Sequence, residues 1–325
     1  MSRRLVLRAL LPALFALSSL TPIAHAEYPD KPLRLIVPYP PGASADATAR
    51  MVGQKVSELL EQSVIIDNRS GASGNIGTEY GARQPADGYT FMLGTDATHG
   101  TNYSLSKNPT FHPVKDFTPL ALAAYNPLVL AVNANVPANT LAEYLEGVRN
   151  GTIPNTYGSS GLGSPHHLAG ELLARRAGVK LVHVPYRGGG PALTDTMGGQ
   201  IPALFASAIT VIPHIESGKL KALAVTDTER YPGLPNVPTV AETYEGFAMP
   251  SWLAFFAPAG LQPDVARRLS GAIVKALADK EIQEKLGAAG LVVPKDTSPD
   301  ALADLQKRDM EAKGALIREA GISAE

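Results

Sequence analysis

Short apolar runs alternate with amphipathic stretches along most of the chain. The runs at 33–38, 64–67, 89–94, 128–133, 156–159, 181–185, 203–206, 222–226, 252–257 and 291–294 have strand length. Many are continuously apolar rather than alternating, as in strands covered on both faces. Between them, helical patterns run over 46–62, 75–83, 141–148, 166–177, 192–197, 211–217, 264–288 and 300–320. This alternation predicts βαβ units and an α/β fold with mostly parallel sheets. The last two helices are long and charged on one face, which places them on the outside. No repeat, heptad array or flexible linker interrupts the pattern.

The first segment breaks it. Arg3, Arg4 and Arg8 precede an apolar stretch at 9–20, and Ala24-His25-Ala26 follows as an A-x-A site. That stretch is short for a membrane span, and the layout is that of a secretory signal cleaved after Ala26. Ser2-Arg3-Arg4 faintly resembles a twin-arginine signal, but the strongly apolar stretch favours the general secretory route. No later stretch is apolar enough to span a membrane, so the expected mature protein is soluble and periplasmic.

Length and composition narrow the class. At 325 residues, two lobes are a better expectation than one core. The 30 Gly and 27 Pro indicate many turns rather than disorder, because 45% of residues are hydrophobic. With no Cys, disulfides, thiolate metal sites, cysteine nucleophiles and lipid attachment through cysteine are all excluded. Removing three arginines and no acids with the signal takes the net charge from −1 to −4. That balance argues against nucleic acid as a partner.

Three strand-to-helix turns carry the candidate chemistry. The first is Val37-Pro38-Tyr39-Pro40-Pro41-Gly42-Ala43-Ser44-Ala45-Asp46. Ser44 or Asp46 is placed to cap the helix that follows. Such a helix start offers unpaired N–H groups and a partial positive charge, which suit a carboxylate. Asp46 would repel an anion beside it. It is read as capping the helix, orienting a bridging water or meeting a cationic part of a ligand. The second is Tyr157-Gly158-Ser159-Ser160-Gly161-Leu162-Gly163-Ser164-Pro165-His166-His167-Leu168. Its glycines allow close backbone approach, its serines add hydroxyls, and Pro165 suits a first helical turn. It lacks the lysine of a P-loop and the G-x-S-x-G spacing of a nucleophile elbow. In the third, Gly188-Gly189-Gly190 precedes a helix, and Arg187 either grips a carboxylate or sits solvated on a turn. His166, His167 and Glu171 do not have zincin spacing, so neither a metal nor a cofactor is expected. Trp252 reads as packing rather than as a ligand contact.

At these residues the chain resembles the Bug family, the periplasmic solute receptors of tripartite tricarboxylate transporters. The stretches that carry the resemblance begin with Tyr28-Pro29-Asp30-Lys31-Pro32-Leu33-Arg34-Leu35-Ile36-Val37-Pro38. Asn68-Arg69, Gly71-Ala72-Ser73-Gly74-Asn75-Ile76-Gly77 and Pro85-Ala86-Asp87-Gly88-Tyr89-Thr90 follow. Gly158 to Leu168, His183-Val184-Pro185-Tyr186, Gly218-Lys219-Leu220-Lys221-Ala222 and Trp252 to Gly260 complete the series. Each is weak alone; their order and spacing together are specific. The resemblance implies a two-lobed, flytrap-like receptor. Residues 27–125 with 248–325 would form the first lobe, and residues 126–247 the second. It maps a water-bridged carboxylate grip onto Tyr39, Gly42, Ala43, Ser44 and Asp46, and adds Thr95 and Asp96 from the loop after the third strand. Ser159, Ser160, Gly163 and Ser164 form the second-lobe loop, with Ala206, Ser207 and Asp195 nearby. Where the family has Gly-Gly, this chain has Gly42-Ala43. Asp96 adds an acid to an anion site, which favours a ligand with an amine or hydroxyl, or else caps a turn.

The expected function is a non-catalytic, monomeric receptor. It would pass a small organic acid (a di- or tricarboxylate, an acidic amino acid or an aromatic acid) to membrane permease subunits. The alternatives are an exported enzyme acting on a small carboxylate, and a sensor component of a signalling system.

Overall fold

The computed structural model describes residues 28–42 and 44–323. The expected signal segment with its cleavage site after Ala26, and Ala43, lie outside the described residues. Two five-stranded sheets organise the chain. The first uses β1 (Leu33–Val37), β2 (Val64–Asn68), β3 (Thr90–Thr95), β4 (Phe117–Tyr125) and β10 (Trp252–Pro258), in the order β2-β1-β3-β10-β4. The second uses β5 (Leu128–Asn133), β6 (Thr156–Ser159), β7 (Val182–Pro185), β8 (Ala203–Ser207) and β9 (Leu220–Val225), in the order β7-β6-β8-β5-β9. Each sheet has the same plan: parallel pairs on one side and one antiparallel strand, β10 or β5, fourth in the row. In each case the antiparallel strand is the first one formed after the chain crosses from the other sheet.

The principal helices are α1 (Ser44–Leu60), α2 (Asn75–Ala82), α3 (Leu141–Arg149), α4 (Pro165–Ala177), α5 (Gly189–Met197), α6 (Ala208–Glu216), α7 (Pro263–Ala278), α8 (Lys280–Ala288) and α9 (Pro299–Ala320). They cover both faces of each sheet, which explains the continuous apolar runs. In β1, Leu33, Leu35 and Val37 pack with Val52 and Val56 of α1 and Ile273 of α7. Ile36 faces the other way, into a cluster with Trp252, Phe256 and Leu302 of α9. In β5, Leu130 and Val132 pack with Tyr144 of α3 and Leu168 of α4, whereas Val129 and Ala131 meet Leu193 of α5 and Val211 of α6. Burying each such side chain contributes about 1.5–3 kcal/mol. Among the described residues, no helix is long and apolar enough to cross a membrane.

The helix α9 is a strap. Leu302 packs under the first sheet, while Leu316 and Ile317 join the core of the second. Arg175 of α4 reaches Glu319 of α9 at 3.2 Å.

The two-lobed α/β class is as expected, with local corrections. The strand β4 was not foreseen; Pro119 and the alanine-rich stretch beside it hide an edge strand that tolerates a proline opposite a register shift. The run at 291–294 forms only a bridge, between Val292 and Tyr125. The expected single helix over 264–288 is two helices, because the Asp279 side chain takes the N–H groups of Glu281 and Ile282 and starts a new one. Sheet pairings are mixed, although four of the five strands in each sheet run one way.

Candidate functional site

The crossing from Tyr125 to Leu128 joins the carboxyl end of β4 to the start of β5. Strand directions then set the carboxyl ends of β1, β2 and β3 against those of β6, β7 and β8. In open α/β sheets, ligands bind outside these edges. The two edges approach one another: a Cβ added at Gly163 would overlap Leu105 of the first lobe. Gly163 has φ +70°, so glycine is required there on both grounds.

On the first lobe, Asp46 is fully occupied. One carboxylate oxygen accepts the Gly42 N–H at 2.9 Å and Arg50 Nε at 3.0 Å; the other accepts Asn68 Nδ2 at 2.9 Å. Asn68 also donates to the Tyr39 carbonyl at 3.0 Å. Burial opposes the charged form, but these donors outweigh it and hold the carboxyl below its ordinary value. Asp46 thus shapes the loop and turns no free charge toward a ligand. Gly42, at φ +86°, makes the turn. Ser44 is exposed and opens α1. The Tyr39 hydroxyl meets Thr95 Oγ1 at 2.8 Å, and burial above all pushes it up to about 12.

Asp96 is also neutralised. It accepts Lys313 Nζ at 2.8 Å and the Ser251 hydroxyl at 3.2 Å. Lys313 reaches it from α9, and also donates to Asp309 at 2.9 Å and to the Pro250 carbonyl at 2.9 Å. An expected choice between a ligand amine and a turn cap is therefore replaced by an ion pair with the strap.

On the second lobe, Ser164 caps α4 by accepting the His167 N–H at 3.2 Å, with Pro165 in the first turn. Its hydroxyl donates to the Gly161 carbonyl at 2.7 Å. Ser160 Oγ and His166 Nδ1 lie 2.6 Å apart. His166 Nε2 is sealed from solvent and has no hydrogen-bond partner among the described residues. Burial pushes this imidazole down to about 4, with Asp96 pulling the other way. Asp195 accepts the Tyr186 hydroxyl at 2.8 Å. Ser207 accepts Asn126 Nδ2 at 3.0 Å, which ties β8 to the crossing, and Ala206 is buried in the ladder opposite Val129.

Ser159 and His183 form a serine–histidine pair at 2.6 Å. The hydroxyl also receives the Gly161 N–H at 3.0 Å and donates to the Gly161 carbonyl at 3.1 Å. Ser159 is fully buried, and the His183 ring stacks on His167 at 3.7 Å. The arrangement braces the loop rather than exposing a nucleophile. His166, Lys313 and Asn126 were missed as site residues by sequence reasoning. A histidine just inside the start of a glycine-rich turn's helix was a usable signal; the other two are brought in only by tertiary contacts.

The sequence profile of the family described as "Tripartite tricarboxylate transporter family receptor" matches residues 48–322. The chain belongs to this family. It is 33% identical over 302 residues to the protein BugT of Bordetella pertussis, covering 92% of each chain. A Rhodopseudomonas palustris protein, Rpa4515, solved with adipate, is 33% identical with TM-score 0.78, over 91% of this chain and 99% of that one. MatC from the same organism, solved with malate, is 29% identical with TM-score 0.74, over 89% and 100%.

Proposed function

We propose that the protein is a periplasmic receptor that clasps a small dicarboxylate between the loops after β1 and β3 and the loop after β6, and delivers it to a tripartite permease. One observation carries this reading. Three acids in or beside these loops are already satisfied inside the protein: Asp46 by Gly42, Arg50 and Asn68, Asp96 by Lys313 and Ser251, and Asp195 by Tyr186. Helix-start N–H groups and the exposed Ser44 then remain for a ligand, and these suit an anion. Adipate and malate in the two similar structures supply the chemical class. On this reading residues 27–125 with 248–325 make one lobe and 126–247 the other, with α9 strapped across both. The signal is removed after Ala26 through the general secretory route, and the receptor acts as a monomer without cofactor or catalysis.

A thermal-shift screen over organic acids tests the class. Ligand at 100 times its Kd stabilises by about 2.7 kcal/mol. Ser160→Glu, which places a like charge in the second-lobe loop, is expected to abolish acid binding by calorimetry with the fold intact by circular dichroism. Unchanged affinity would move the site elsewhere.

A further inference from the structure

A cavity of about 650 Å³ opens at the hinge, and among the described residues none from the loops after β1, β3, β6 or β8 lines it. Its walls come from the crossing at Tyr125 and Pro127, the return at Pro250, and Leu305 and Ala312 of α9. Asp227, just beyond β9, faces the same space. Among the described residues its carboxylate has no hydrogen bond and no ion pair; Lys313, a countercharge that acts on it, is engaged by Asp96 and Asp309. Asp227 is partly exposed, so its carboxylate is open to a ligand donor that enters the cavity.

We propose that this hinge cavity is a second ligand site, for a small organic cation with an apolar body whose ammonium group pairs with Asp227. The walls named above are largely apolar or aromatic, which suits the body. Burial pushes Asp227 up to about 7, with Lys313 lowering it and Asp96 raising it. Its other charged neighbours are divided. From α9 come Asp309, tied to Lys313 and Trp252, and Arg308, which is exposed. From the segment after β9 come Glu229 and Arg230, the latter spent on Glu242 at 2.6 Å. Lys295 is exposed on the remaining wall, and Tyr125 is neutral. The lining cations Arg230, Lys295 and Arg308 are exposed and screened by solvent, whereas Asp227 is half-buried and screened less, so the cavity favours a cation over an anion.

Lys313 links the two sites by bonding Asp96 on one side and the cavity-lining Asp309 on the other. A ligand here also wedges between segments that both lobes contribute. Acid and amine binding are therefore expected to alter one another reciprocally.

Trp252, the single tryptophan, donates to Asp309 at 3.0 Å and reports on the cavity by fluorescence. The test titrates the mature protein with phenethylamine, and with phenethyl alcohol and hydrocinnamate as neutral and anionic probes, by fluorescence and calorimetry. The amine is expected to bind about tenfold tighter than either, and about tenfold tighter near pH 8 than near pH 6 as Asp227 ionises. Asp227→Asn and the cavity-filling Ala312→Phe are each expected to abolish amine binding. Ser160→Glu is expected to leave it intact, whether or not that variant binds acids. Equal binding of the alcohol or hydrocinnamate, undiminished amine binding in Ala312→Phe, or loss of amine binding in Ser160→Glu would overturn the assignment. If Asp227→Asn does not fold, Ala312→Phe decides.

Discussion

Asp46 and His166 sit in the helix-start turns after β1 and β6, and the structure uses them differently. Asp46 is satisfied without a ligand, whereas His166 Nε2 is buried and unpaired among the described residues. An unpaired buried donor or acceptor costs about 1–3 kcal/mol, which a ligand contact would recover. His166→Phe is therefore expected to weaken acid binding by about tenfold in calorimetry while leaving thermal stability unchanged or higher. An equal loss of stability would make His166 structural only. Because the folded imidazole titrates near 4 rather than 6.5, it stays neutral at physiological pH. Its depressed pKa removes stability as pH falls from 6.5 toward 4 and has no effect above that window. Asp46 has the opposite sign. Held below its ordinary 3.8, it contributes stability that is fully present above that value and is lost as pH falls below it. Asp46→Ala is expected to cost about 1–3 kcal/mol in urea unfolding near neutrality and to shrink the acid-dependent loss. The sequence pointed to Asp46 as a cap or water-holder, but its partners Gly42, Arg50 and Asn68 became evident only from the folded chain.

The turn into α4 shows what the sequence makes legible at the level of elements. Ser164, Pro165 and the glycines before them spell a capped helix start, and the fold has one. Ser164→Ala is expected to cost about 1 kcal/mol by removing the cap. Gly163→Ala is expected to cost more and to weaken acid binding, because alanine is strained at φ +70° and would strike Leu105 across the cleft. Urea unfolding and calorimetry on both variants separate the two effects: a cap loss alone leaves binding nearly intact. Strands such as β1 and β5 were readable because their apolar runs match coverage on both faces. The strand β4 was not, since its register is set by β10, a partner more than a hundred residues away in sequence. Period and propensity are local quantities and carry no record of such pairing.

Across the whole molecule, α9 is the element that a chain reading leaves ambiguous. Its amphipathic pattern says that it lies on a surface, but not that the surface spans both lobes. Lys313 marks where it passes the hinge: fully buried, it is held by Asp96, Asp309 and the Pro250 carbonyl. Burial alone would lower its pKa, yet the two carboxylates raise it, so the ammonium stays charged in the folded state. Removing it leaves two buried acids without a countercharge. Lys313→Met is expected to cost about 3–5 kcal/mol in equilibrium unfolding, well beyond the cost of an exposed pair. Adding Asp96→Asn and Asp309→Asn is expected to restore much of that loss, because the penalty lies in unpaired charge rather than in lost attraction. If the triple variant stays as unstable as Lys313→Met, the cost is one of packing along α9. The same strap bears on motion. A receptor that closes must move β5–β9 relative to β1–β4 while Leu316, Ile317 and Glu319 hold α9 to the second lobe. X-ray scattering of the mature protein is expected to show compaction on saturation with a bound acid. Superimposable curves with and without the acid would mean that the strap holds the lobes at one fixed separation.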